Sequence, residues 1–94
     1  WDRRRRFVAE GLSAIKGIQC PLPEGAFYAF PDIRGTGMSS LDFADYILRE
    51  AHVAVVPGNA FGEAGEGFVR LSFATSDDAL KGAIERMARV LGTR

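Results

Sequence analysis

One arginine in this chain is placed where its chemistry could be used. In the run Gly67-Phe68-Val69-Arg70-Leu71-Ser72-Phe73-Ala74, Arg70 sits near the middle of the most strand-like stretch. A strand sends successive side chains to opposite faces. Val69, Leu71 and Phe73 therefore share an apolar face that belongs in a core, while Phe68, Arg70 and Ser72 share the other. A guanidinium presents a planar fork of donors that matches a carboxylate bidentately, and it stays charged at every physiological pH. Held on a strand, Arg70 is well positioned to bind a carboxylate. On the strand pattern alone, a surface or interdomain ion pair is the plainer account of it.

The other candidates carry less. Gly58-Asn59-Ala60-Phe61-Gly62-Glu63-Ala64-Gly65-Glu66-Gly67 holds four glycines in ten residues, which suggests a phosphate cradle. Its spacing matches neither Gly-x-Gly-x-x-Gly nor the Walker A pattern, and Glu63 and Glu66 would repel a phosphate. It reads instead as a mobile connector in which Phe61, a large ring among polar neighbours, needs cover from a ligand or another domain. The lone His52 falls at the end of a helix and reads as a cap, with no second histidine to complete a metal pair. Asp77-Asp78 reads as the acidic first turn of a helix rather than as paired catalytic carboxylates. Lys16 and Lys81 lie on polar helix surfaces and do not read as catalytic amines. No metal site, nucleophile motif or cysteine–histidine pair can be assembled.

Ninety-four residues make a single domain, 1–94, with room for one modest core. With 47% hydrophobic and 26% charged residues the chain falls in the ordinary globular range. Its formal net charge is zero, which gives no global field toward nucleic acid or an anionic membrane. No apolar run approaches the ~20 residues of a membrane span, and none reads as a signal peptide. The single cysteine, Cys20, cannot form an internal disulfide and fits a reducing compartment, the cytoplasm. The chain opens at Trp1 inside a helical pattern, as a piece of a longer protein would.

The elements that must position Arg70 follow from periodicity. Residues 2–16 read as a helix through Val8, Leu12 and Ile15, with Gly17 as its stop. Arg3 to Arg6 point all around that helix, so they read as a solvated surface that pairs with acids of a missing domain rather than as a nucleic-acid patch. Glu24-Gly25 reads as a turn into the strand 26–30, whose aromatic residues fall on both faces and imply cover on both. Ser39 and Asp42 cap a helix ending near Ala51, with Leu41, Ala44 and Leu48 at helical spacing and Phe43 and Ile47 beside them. Residues 53–56 form a short strand. Thr75 and Asp78 cap a last helix, 76–91, on an apolar face of Leu80, Ile84, Met87, Ala88 and Leu91, with Gly92 as C-cap. The order α-β-α-β-β-α predicts an α/β (α+β) two-layer sandwich, its small sheet of about three strands covered on one face by helices. Arg70 is expected on the open face.

Three segments bear a closer likeness. Pro23-Glu24-Gly25-Ala26-Phe27-Tyr28, Val53-Ala54-Val55-Val56-Pro57-Gly58 with Phe61-Gly62, and Phe68-Val69-Arg70-Leu71-Ser72-Phe73-Ala74 occur in order and at spacing. In these the chain resembles the C-terminal small domain of class I, fold-type I aminotransferases that use pyridoxal 5'-phosphate. The resemblance implies that Arg70 binds the substrate α-carboxylate and that Asn59 and Phe61 lie in a loop near the active site. It implies a larger domain of the same polypeptide that holds the cofactor and its lysine, a homodimeric full-length enzyme, and amino acid and 2-oxo acid substrates. The 94 residues alone are then expected to be inactive. The rival readings are a pyridoxal-phosphate lyase on the same scaffold and a free-standing small-molecule-binding regulatory module.

Overall fold

The computed structural model describes residues 2–23 and 27–92. The turn expected at Glu24-Gly25 and the start of its strand at Ala26 lie outside the described residues. Three helices, α1 (Asp2–Ser13), α2 (Ser40–Ala51) and α3 (Asp77–Gly92), accompany three short strands, β1 (Tyr28–Ala29), β2 (Val56–Pro57) and β3 (Val69–Ser72). The sheet is antiparallel in the order β1-β3-β2, so the strand carrying Arg70 is central. Tyr28 pairs with Ser72 and Ala29 with Leu71 on one side; Val56 pairs with Arg70 and Pro57 with Val69 on the other.

The core lies between the sheet and the helices, which makes a two-layer α+β sandwich. Val69, Leu71 and Phe73 are buried there with Leu12, Phe43, Ile47, Leu80 and Met87. Burial of such side chains contributes roughly 1.5–3 kcal/mol each. Arg70 and Ser72 alternate out of that core.

Several local expectations are corrected. Helix α1 stops at Ser13, before Gly17, because the Ser13 hydroxyl accepts from the Cys20 amide (2.9 Å) and donates to the Cys20 carbonyl (3.2 Å), drawing the chain back. Its arginines find partners inside the domain: Arg3 and Arg4 pair with Asp77, and Arg5 donates to the Pro23 carbonyl. In α2 the buried face is Ser40, Phe43, Ile47 and Ala51, whereas Leu41 and Leu48 are exposed. On α3 the cap is Ser76, which accepts from the Ala79 amide, and not Thr75. Gly92 lies inside α3, and Ala88 faces solvent while Ala83 and Val90 pack on the core. The second strand is Val56–Pro57, displaced from 53–56, because it pairs only where it meets β3. His52 closes α2 in the left-handed conformation (φ 58°), the helix-end role expected of it.

Candidate functional site

The open face of the sheet carries aromatic rings around the Arg70 guanidinium. Tyr28, Phe30, Phe61 and Arg70 lie there, with Phe30, Phe61 and Tyr28 all substantially exposed. The expected cover on both sides of the first strand is therefore not supplied by the described residues. The Cζ of Arg70 lies 4.6 Å from the Tyr28 ring centroid and 5.0 Å from that of Phe61. Each such contact contributes about 0.5–1 kcal/mol at an exposed position. Two rings also restrict the planes the guanidinium can adopt, so less conformational freedom remains to be lost when an anion binds.

Among the described residues no acid pairs with Arg70. The contrast with Arg34 is direct. Arg34 reaches Asp32 through two nitrogens, Nε to Oδ1 at 3.1 Å and Nη2 to Oδ2 at 2.7 Å, and also lies 5.5 Å from the Phe68 ring. That side-chain hydrogen bonding holds the Asp32 carboxyl below its usual range. Arg34 thus has its carboxylate, whereas among the described residues Arg70 is set against aromatic rings.

Phe61 is delivered by the glycine-rich segment. This is two successive 3-10 turns, Gly58–Phe61 and Glu63–Gly65, and its glycines supply unusual backbone angles at Gly62 (φ 105°) and Gly67 (φ 94°). Its ends are tied where the Gly58 amide donates to the Phe68 carbonyl (2.7 Å) and the Phe68 amide to the Gly65 carbonyl (3.1 Å). The backbones at Gly58 and Gly65 approach so closely that a Cβ on either would collide with the carbonyl oxygen of the other. The amides of Gly62, Gly65 and Glu66 donate to the segment's own carbonyls, and those of Gly58, Asn59 and Gly67 to Phe68, Ser40 and the Glu66 carboxylate, so these six are not turned to a phosphate.

Glu66 fastens the same segment to α2. One carboxylate oxygen accepts from the Ser40 amide (2.7 Å) and the Gly67 amide (3.0 Å), and the other from the Ser40 hydroxyl (2.9 Å). The backbone hydrogen bond from Ser40, then that from its hydroxyl, holds the Glu66 carboxyl below its usual range. The Ser40 hydroxyl also accepts from the Asn59 amide at 3.4 Å.

Of the residues singled out from sequence, Phe61 is brought to Arg70. Asn59 meets Ser40 through its backbone, and its exposed side chain is not part of the aromatic contact. Tyr28, Ser40 and Glu66 were not singled out. Cross-strand register, which places Tyr28 diagonally from Arg70, is the signal for the first; nothing local in sequence signals the Ser40–Glu66 contact, which spans 26 residues. A groove of about 470 Å³, lined by Ser13, Lys16, Gln19 and Asp32 among others, does not include Arg70. An open sheet face becomes a pocket only when something covers it.

The described residues thus form a small antiparallel sheet backed by helices, with Arg70 among aromatic rings on its open face and no acid paired to it. The comparisons with known proteins specify this arrangement further. Residues 1–87 match the family model for aminotransferase class I and II, and the chain belongs to that family. It is 50% identical over 91 residues to an aspartate aminotransferase of Pyrococcus abyssi, covering 97% of this chain and 23% of that protein. It is 48% identical to aromatic-amino-acid aminotransferase 2 of Thermococcus litoralis, with the same coverage. The crystal structure of the aromatic aminotransferase from Pyrococcus horikoshii OT3 superposes with a TM-score of 0.93 at 54% identity, over 99% of this chain and 24% of that one. The chain thus spans about a quarter of the length of the relatives it matches.

The family implies pyridoxal phosphate. The residues described here do not fit it: Lys16 lines the groove beside Gln19 and Asp32, Lys81 lies beside Arg3 and Phe7, and neither amine is on the Arg70 face. Among the described residues there is also no cluster of three or more metal-ligating side chains.

Proposed function

We propose that these 94 residues form the C-terminal small domain of a pyridoxal-phosphate-dependent aminotransferase, in which Arg70 binds the α-carboxylate of the amino acid. The observation that carries this reading is Arg70 itself, half-buried between Tyr28 and Phe61 with no acid paired to it among the described residues. A carboxylate presented to it gains two parallel charge-assisted hydrogen bonds. Fixing that end of the substrate sets the orientation of the bonds at its α-carbon, and orientation is a major part of what an active site contributes to rate.

The cofactor and its lysine are assigned to the remaining three quarters of the enzyme, so the 94 residues alone carry no transaminase activity. The larger domain would cover the exposed aromatic face. On the family resemblance the full-length enzyme is a cytoplasmic homodimer. Its substrates are an amino acid and a 2-oxo acid.

The test is to assay the full-length protein with an amino acid donor and 2-oxoglutarate or pyruvate. Stoichiometric formation of the new amino acid and the new 2-oxo acid supports transfer. Loss of the α-amino group as ammonia, or cleavage without an acceptor, would identify a lyase instead.

A further inference from the structure

We propose that Glu66 is a positioning residue for carboxylate binding, acting on Arg70 through Ser40, Asn59 and Phe61. The proposal rests on the reading of Arg70 given above.

Each link is a contact. The Glu66 carboxylate takes both the amide and the hydroxyl of Ser40, at 2.7 and 2.9 Å. The same hydroxyl accepts from the Asn59 amide. Asn59 lies in the 3-10 turn Gly58–Phe61, and the ring at the end of that turn lies 5.0 Å from the Arg70 guanidinium.

The arrangement is more than a helix cap. The N-terminus of α2 already has Ser39, whose hydroxyl accepts from the Asp42 amide at 3.1 Å. Glu66 satisfies a different orphan donor, the first amide of the helix, and comes from a residue distant in sequence. Ser40 is fully buried, and its hydroxyl is held between the Glu66 carboxylate and the Asn59 amide. A buried polar group with satisfied partners costs little; one that loses its acceptor must find another. Removing the carboxylate therefore leaves the Ser40 amide and hydroxyl and the Gly67 amide without their acceptor at once. The Asn59 amide at the flank of the turn then meets a hydroxyl that the carboxylate no longer orients, and the Gly58–Phe68 hydrogen bond alone keeps its partner at the base.

The consequence falls on substrate binding and not on the chemical step. With Phe61 unfixed, Arg70 keeps its charge and its strand but loses one of the two rings that define its plane. Ground-state and transition-state binding of the carboxylate weaken together, so KM rises while kcat holds.

The experiment uses the full-length holoenzyme. Steady-state kcat and KM for the amino acid are measured for E66A, E66Q, S40A, F61A and the E66A/F61A double variant, with R70K measured in parallel. For a coupling of this kind E66A is expected to raise KM by about 3–10-fold with kcat changed less than about twofold. E66Q, whose amide oxygen can still accept the two backbone N–H groups, is expected to restore most of the loss. The double variant should match F61A alone, because both substitutions act through the same ring. S40A, a substitution of little volume change, gives the same KM-only response if E66A does not fold. An unchanged KM in folded E66A and S40A, or E66A and F61A factors that multiply, would overturn the proposal. Failure of the underlying reading has a separate signature: R70K with the KM of the parent enzyme.

Discussion

Arg70 and Tyr28 meet on a cross-strand diagonal. Tyr28 pairs directly with Ser72, two residues along β3, yet its ring centroid lies 4.6 Å from the Arg70 Cζ. Diagonal neighbours on an antiparallel sheet are within reach of long and aromatic side chains, and here the reach is used to set a cation against a ring. The register of a two-residue strand therefore decides how the guanidinium is presented.

Replacing Arg70 by lysine keeps the charge and removes the planar fork. Charge-assisted hydrogen bonds contribute about 1.5–3 kcal/mol each, so losing one predicts a rise in amino-acid KM of roughly 10–100-fold in the full-length enzyme. Steady-state kinetics check this, and a lysine variant with unaltered KM contradicts the role of Arg70.

The ring beneath Arg70 predicts a smaller, graded effect. Tyr28→Leu removes a contact of about 0.5–1 kcal/mol and is expected to raise the same KM by about 2–5-fold. Tyr28→Phe keeps the ring and should stay within about twofold of the parent. A phenylalanine variant as impaired as the leucine variant would show that the hydroxyl, and not the ring face, is what matters.

Glu66 predicts an acid sensitivity whose sign is fixed. Its folded carboxyl titrates below the ordinary value of 4.5, because it accepts hydrogen bonds from Ser40. The stability it confers is thus fully present above that value and is lost as pH falls through the folded one. The denaturation midpoints of the parent protein and E66Q should differ at pH 7 and converge as pH falls from 4.5 through the lower folded value. A gap that stays constant throughout acid titration assigns the effect to shape and not to charge.

Cys20 predicts chemical silence. Burial pushes its thiol up to about 11, and only 7% of the residue's surface is exposed. Alkylation at pH 7.5 is expected to be at least about 100-fold slower in the native protein than in denaturant, since the thiolate is the reactive form. Rapid labelling without denaturant would show that this part of the core opens readily.

How much of this was legible in the sequence follows from how far apart the determinants lie. The alternation of Val69, Arg70 and Leu71 is local, and a period of two suffices to separate the core face from the open one. The α2 helix was harder: Leu41, Ala44 and Leu48 make as regular a stripe as Phe43, Ile47 and Ala51, and periodicity cannot choose between neighbouring faces. The choice is made by tertiary contacts that leave Leu41 and Leu48 outside while Ser40 is buried against Glu66. The ties of segment 58–67 were hidden for the same reason. Two of its glycines, Gly58 and Gly65, permit a backbone contact, while Gly62 and Gly67 take positive φ, and the hydrogen bonds that tie the segment reach Ser40 and Phe68. Arg3 and Arg4 likewise find Asp77 at the other end of the chain, which no local pattern announces.

The pairing of Gly58 with Gly65 bears on how such a domain can diversify. A side chain at either position forces the two backbones apart, and no single compensating change at the other can make room, because it is already glycine. The two sites therefore behave as one heritable unit. Drift in this segment is channelled to its exposed positions, Ala60, Glu63 and Ala64, where new side chains can be tried while the crossing that delivers Phe61 is left in place.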